Sequence, residues 1–149
     1  MKPVSRMTPQ ELAEASARAM WNDDSASQRL GMRLDRIAPG QATLSMTIGK
    51  DMSNGHGNCH GGYIFTLADS AFAFACNSYN QMVVAQHCSI TYLIPGRMGD
   101  LLTATATEVS RRGRSGIYDI RVTNQDGAHV AEFRGHSRTV NGTHLPVDA

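Results

Sequence analysis

The stretch His60-Gly61-Gly62, with Asp69 eight residues beyond Gly61, holds the residue types needed to cleave an activated acyl group. A glycine at a helix start presents a backbone N–H that the helix itself leaves unpaired. A carboxylate set among apolar side chains is a candidate base or nucleophile. The run from Tyr63 to Cys76 is apolar almost throughout, and Asp69 is its single charged side chain. The polar, glycine-rich loop Asn54-Gly55-His56-Gly57-Asn58-Cys59 leads into it.

Each of these residues also has a plainer reading. Asp69 could be a buried carboxylate satisfied by neighbouring groups. Gly61 and Gly62 could serve only a tight loop-to-helix turn. His60 reads as an N-cap or packing residue as readily as an acid–base group. Asn54 could be a turn residue, since Asn-Gly favours turns, or could touch substrate. Cys59 would need a paired base to act as nucleophile, and none is implied. His56 and His60 stand four apart without the Glu of a His-Glu-x-x-His pattern, so no metal is expected. The basic cluster Arg111-Arg112-Gly113-Arg114 is either a solvated hairpin tip or a fork for phosphate oxygens. Arg97, after Pro95-Gly96, is a smaller candidate of the same kind. Tyr63, Phe65, Phe72 and Phe74 read as core, with one or two free to line an acyl pocket.

The elements that must position these residues follow from periodicity. Thr8-Pro9-Gln10-Glu11 opens a short helix, predicted over 8–20, with Leu12, Ala15, Ala19 and Met20 as its apolar stripe. A second helical turn ends near Leu30-Gly31. From there the period becomes two: 33–37 and 41–48 read as strands joined at Pro39-Gly40, with Ala42, Leu44, Met46 and Ile48 on one face. The run from Gly61 to about Asn77 is too long and too rich in Ala and Phe for a strand, and reads as a buried helix. Strands are predicted at 82–94, 101–109, 116–123 and 128–140, with Asn124-Gln-Asp-Gly127 a hairpin turn. A helix apolar on most faces needs cover on most faces, so one curved antiparallel sheet wrapping it is the expected α+β arrangement. Ala68, Ala71, Ala73 and Ala75 would allow a close approach. The tail after 141 is expected to be flexible.

Composition sets the bounds. A chain of 149 residues fits one domain, and a net charge of +1 does not suggest wholesale nucleic-acid binding. No apolar run nears the roughly 20 residues of a membrane span. The start Met1-Lys-Pro-Val-Ser-Arg lacks the apolar stretch of a signal peptide, so a cytoplasmic location is expected. The three cysteines match no zinc spacing, and Cys76 and Cys88 read as small core residues.

Taken together, Asn54-Gly55, His60-Gly61-Gly62, Leu67-Ala68-Asp69 and Phe72-Ala73 resemble the hotdog-fold acyl-CoA thioesterases of the phenylacetate-degradation (PaaI) type. The similarity runs from about residue 10 to residue 140. It includes Ala75-Cys76-Asn77-Ser78, Pro95-Gly96, Thr103-Ala-Thr-Ala106, Gly116-Ile-Tyr-Asp-Ile120 and Phe133-Arg-Gly135. The resemblance implies one central helix wrapped by about six antiparallel strands. It implies hydrolysis of aryl-acetyl coenzyme A thioesters without a dissociable cofactor. The Gly61 N–H would be the oxyanion donor, Asp69 the base or nucleophile, and Asn54 and His60 would hold the thioester or shape the loop. Arg111, Arg112, Arg114 and Arg97 would meet the phosphates of coenzyme A. Relatives carry a Ser or Thr where the third strand passes the carboxylate, and Ala85 stands there in this chain. The resemblance also implies a homodimer with shared active sites, assembled as a homotetramer.

The spacing agrees with sharing. Eight residues of helix separate Gly61 from Asp69 by roughly 12 Å, too far for both to touch one thioester from the same chain. Two other readings remain at this stage: a hydratase or isomerase of the same fold, and a non-catalytic acyl-CoA-binding module.

Overall fold

The computed structural model describes residues 1–147. Helix α1 spans Pro9–Asp23 and opens with a full capping box. The Thr8 hydroxyl accepts the Glu11 N–H at 3.1 Å, and the Glu11 carboxylate accepts the Thr8 N–H at 3.2 Å. The helix runs three residues past its expected end, and its buried residues are Ala13, Ala15, Ser16 and Ala17, of which only Ala15 belongs to the predicted stripe. Leu12, Ala19 and Met20 are only half-buried. Small residues at that face let α1 lie against strand β1 (Arg33–Ala38). A short helix α2, Ser25–Arg29, intervenes, capped by Asp24.

Strand β2 (Gln41–Thr47) pairs antiparallel with β1 across the Pro39-Gly40 turn. Helix α3 covers Gly61–Cys76 as one uninterrupted α-helix. Four strands follow: β3 (Val83–Tyr92), β4 (Leu101–Arg112), β5 (Ser115–Thr123) and β6 (His129–Thr139). The sheet order is β1-β2-β4-β5-β6-β3 with all neighbours antiparallel. The sheet wraps α3, which contacts every strand. This is the hotdog arrangement expected from the sequence.

The core lies between α3 and the concave face of the sheet. Leu67, Ala68, Ala71, Phe72, Phe74 and Ala75 of α3 meet Leu44, Leu102, Ala104, Ile120, Val122 and Phe133. Gly135 shows how tightly the two layers meet. A Cβ there would lie 2.7 Å from the Phe72 ring, so only glycine lets this ring seat on β6. Ala73 departs from expectation: it is half-buried and faces away from the sheet.

Two departures concern where segments end. Strand β4 continues to Arg112, three residues beyond its predicted end, because a bulge between Glu108 and Ser110 interrupts the alternation without ending the strand. The chain after 141, expected to be loose, is held in place as far as Leu145. Both the His144 and Leu145 N–H groups donate to the Asn80 side chain, at 3.1 and 2.8 Å, and Leu145 is buried. Residues 148–149 lie outside the described residues. No helix among the described residues is long and apolar enough to cross a membrane.

Candidate active site

The loop before α3 is tied down at several points. The His60 N–H donates to the Met52 carbonyl at 2.7 Å, and the Cys59 N–H donates to Gly96 at 2.8 Å. His60 is the N-cap: its Nδ1 accepts the Gly62 N–H at 2.9 Å. That bond takes the second helical donor and leaves the Gly61 N–H with no partner among the described residues. A free donor at the positive end of a 16-residue helix suits a developing oxyanion. Asn54 accepts the His56 and Asn58 N–H groups on its Oδ1, at 2.8 and 3.1 Å. Its side-chain oxygen therefore shapes the loop, while the residue also lines the cavity in front of Gly61. That cavity, about 330 Å³, is bounded by Asn54, Cys59, Gly61, Ile64, Tyr92 and Gly96.

Tyr92 gives this half-site a feature that no local motif announces. Its hydroxyl donates to the Gly61 carbonyl at 2.8 Å, and its ring lies flush on the Gly61 backbone. A Cβ on residue 61 would fall 2.9 Å from the ring. Gly61→Ala keeps the N–H yet must displace either the ring or the helix start. Its kcat/KM is expected to fall by about 10²-fold, the scale of a 1 Å misplacement. Adding Tyr92→Ala should return at least about tenfold of this loss by clearing the space. A double variant no better than the single one would show that the ring is not the obstacle.

Asp69 sits two turns further along the same helix. No hydrogen bond or ion pair reaches its carboxylate among the described residues. Burial pushes its pKa above the usual carboxylate range, and the charge of Asp24 pushes it further the same way. Asp24 is fixed by its capping role: it accepts the Ser27 N–H at 3.0 Å and the Ser27 hydroxyl at 2.6 Å. Ser27 in turn meets the Ser70 hydroxyl at 2.8 Å, beside Asp69. The junction of α1 and α2 thus forms part of the carboxylate's surroundings. Exchanging Asp24 for Asn keeps the cap but removes the like charge. The acid limb of kcat/KM should then move to lower pH, while burial keeps it above the ordinary carboxylate value; an unmoved limb would remove Asp24 from the account.

The remaining candidates divide. Arg97 lies next to Gly96, at the Gly61 end of the molecule, where its backbone N–H donates to Asp100. Arg111, Arg112 and Arg114 lie at the other end, beyond the C-terminus of α3. The four arginines therefore form no single phosphate site within one chain. Arg111 stacks on the Tyr79 ring at 3.6 Å, a cation–π contact that holds it in place. Arg112 and Arg114 are exposed. Ala85 is exposed on β3 at the start of a bulge. The β3 side chain that senses Asp69 is Cys88, whose thiol is pushed up by burial and then by that carboxylate. Burial pushes Cys76 up to about 12 and also raises Cys59, so neither is primed as a thiolate. Phe72 and Phe74 are core, whereas Tyr63 and Phe65 are half-buried.

The central helix of this hotdog fold thus carries a free N-terminal donor and a carboxylate with no partner among the described residues, groups suited to the hydrolysis of a thioester. Residues 56–131 match the thioesterase superfamily, and the chain belongs to that family. It is 44% identical over 128 residues to the acyl-coenzyme A thioesterase PaaI of Escherichia coli, covering 86% of this chain and 91% of that protein. The structure of the E. coli PaaI protein from the phenylacetic acid degradation operon superposes with a TM-score of 0.90, at 43% identity, over 91% of this chain and 99% of that one. A Streptococcus mutans protein solved with bound acetyl-CoA matches with a TM-score of 0.73 at 27% identity, over 75% of this chain and 90% of that one.

Proposed function

We propose that the protein hydrolyses aryl-acetyl coenzyme A thioesters, such as phenylacetyl- or hydroxyphenylacetyl-CoA, and returns free acid and coenzyme A within phenylacetate catabolism. The observation that carries this reading is the continuity of α3. One unbroken helix holds a Gly61 N–H at its start and an Asp69 carboxylate about two turns on, neither with a partner among the described residues. Those groups serve one carbonyl only when two chains supply them. The Gly61 N–H of one subunit receives the thioester oxygen as negative charge gathers on it. Asp69 of the other takes the proton of an attacking water and passes it to the departing sulfur, so that coenzyme A leaves as the thiol; or its carboxylate attacks the carbonyl itself, coenzyme A leaves as a thiolate that solvent protonates, and a water then cleaves the mixed anhydride to the free acid and restores Asp69.

The sheet supports such a pairing. Strand β3 is an edge strand ten residues long. Around it Val84 is 48% exposed, Tyr92 47% and Leu93 50%, so backbone groups and apolar side chains lie open together. An open, apolar edge of this length is a template for another strand. Antiparallel pairing of two β3 strands about a two-fold axis sets the start of one beside the end of the other. Cross-strand partners place Arg112, Ser115, Arg138 and Val84 in one row at the start of β3. The basic end of one chain then lies beside Gly61 of the partner subunit, where the phosphates of coenzyme A would need neutralising. The pairing accounts for the division of the arginines between two ends.

Thiol release from phenylacetyl-CoA and hydroxyphenylacetyl-CoA tests the reading. Turnover of both is expected; a pure protein that releases thiol from no acyl-CoA would sink it.

A further inference from the structure

A cavity of about 450 Å³ lies between the C-terminal half of α1 and the start of β1, and neither Gly61 nor Asp69 borders it. Its apolar walls are Trp21, Met32 and Leu34, and its polar ones Arg18, Asn22 and Arg33. Arg18 precedes Trp21 and Asn22 by three and four residues on α1, so the three share one helix face. The Trp21 ring is anchored on its inner side: it meets the Phe74 ring of α3 with centroids 6.0 Å apart and packs against the core together with Leu34. The rest of Trp21, which is half-buried overall, borders the cavity.

The polar groups here are not spent within the chain. No hydrogen bond or ion pair reaches the side chains of Arg18 or Asn22 among the described residues. Arg33 has one acidic neighbour, Asp35, at 3.7 Å, too long for a hydrogen bond, and its side chain is 79% exposed. Elsewhere the arginines are engaged: Arg134 donates twice to Asp119, at 2.6 and 2.8 Å, and Arg111 lies on the Tyr79 ring. Two unneutralised guanidinium groups therefore flank an aromatic wall, and no carboxylate lines the cavity. A guanidinium fork matches the two oxygens of a carboxylate. An apolar space of roughly 150 Å³ already holds a benzene ring, and a few polar groups set in apolar walls are the usual make-up of a small-molecule site.

We propose that this cavity binds a small aromatic carboxylate, with its ring on Trp21, Met32 and Leu34 and its carboxylate between Arg18 and Arg33. The aryl-acetic acid that thioester hydrolysis releases is such a molecule, so the site takes the reaction's own product outside the catalytic centre. That choice of ligand rests on the thioesterase reading; the chemistry of the walls does not. Strand β1 forms the edge of the sheet opposite β3, so pairing through β3 leaves this cavity open.

Trp21 is the one tryptophan of the chain, so its fluorescence reads the site directly. Phenylacetate titrated into the intact protein should change that emission and saturate. Phenylacetamide keeps the ring but not the charge, and should bind about tenfold more weakly or worse through loss of charge-assisted hydrogen bonds. Arg18→Gln combined with Arg33→Gln should weaken phenylacetate by about the same factor. Both side chains are exposed, so this variant should fold and release thiol from phenylacetyl-CoA as fast as the wild type. An emission that never saturates with phenylacetate overturns the proposal. So does an amide that binds as tightly as the acid, or a double variant that binds phenylacetate as tightly as the wild type. A wild type that binds the acid but releases thiol from no acyl-CoA overturns its assignment as product and leaves the site standing.

Discussion

Asp69→Asn is expected to lower kcat by about 10²- to 10⁴-fold, the range for loss of a positioned general base, without unfolding the protein. The amide has nearly the same shape but neither takes a proton at neutral pH nor attacks a carbonyl. If Asp69 is structural, the opposite pattern follows: stability drops and the folded fraction keeps its activity. The environment of Asp69 argues against a structural role. A carboxylate kept for stability is normally paired, and its pKa falls. This one has no partner among the described residues, and burial followed by Asp24 raises its pKa. The sign of the linkage is then fixed. The native state prefers the protonated acid, so the stability associated with Asp69 is complete below the unfolded pKa and is lost as pH rises through the folded one. At neutral pH the ionised group costs stability. The Tm of Asp69→Asn at pH 7 should equal or exceed that of the wild type, and the difference should vanish in acid. Lower kcat with a Tm that does not fall is the signature of a group held for chemistry.

The second large effect concerns the edge of the sheet. Val84→Lys with Leu93→Lys changes two side chains that are about half exposed in the single chain, so the monomer has little reason to misfold. Charge on an edge strand blocks pairing with another. Sedimentation should show a monomer, and specific activity should fall by about 100-fold or more, because each chain then holds its donor and its carboxylate about two helical turns apart. Milder variants should show specific activity that rises with protein concentration. A folded monomer with full activity would mean that one chain completes the site.

The helix and strands were legible because their signals are local. Period-two alternation marked β2, and the long Ala- and Phe-rich run marked α3. Asp69 stood out by its charge within that run, and His60 and Gly61 by their place at its start. What escaped the sequence depends on contacts between distant residues. Tyr92 meets Gly61 across 31 residues, and Asn80 holds Leu145 across 65. Asp24 reaches Asp69 only because α2 packs on α3 through Ser27 and Ser70. None of these pairs shares a periodic pattern. The end of β4 was missed for another reason: a bulge at residue 109 shifts the inside–outside phase, which in sequence looks like the end of a strand. The arginines looked like one cluster with an outlier, and only the length of the sheet shows that they occupy opposite ends.

Mixing two inactive variants tests the shared site most directly. Asp69→Asn lacks the carboxylate. Gly61→Pro lacks the donor N–H, at a helical position where proline is tolerated, and any push on Tyr92 falls in the half already disabled. When the two are unfolded, mixed in equal amounts and refolded, half of the dimers should be mixed, each with one intact site of two. Activity should recover to about one quarter of the wild-type value. Recovery near that level is the result predicted by a site built from Gly61 of one chain and Asp69 of the other. A mixture no more active than its two parents would contradict it.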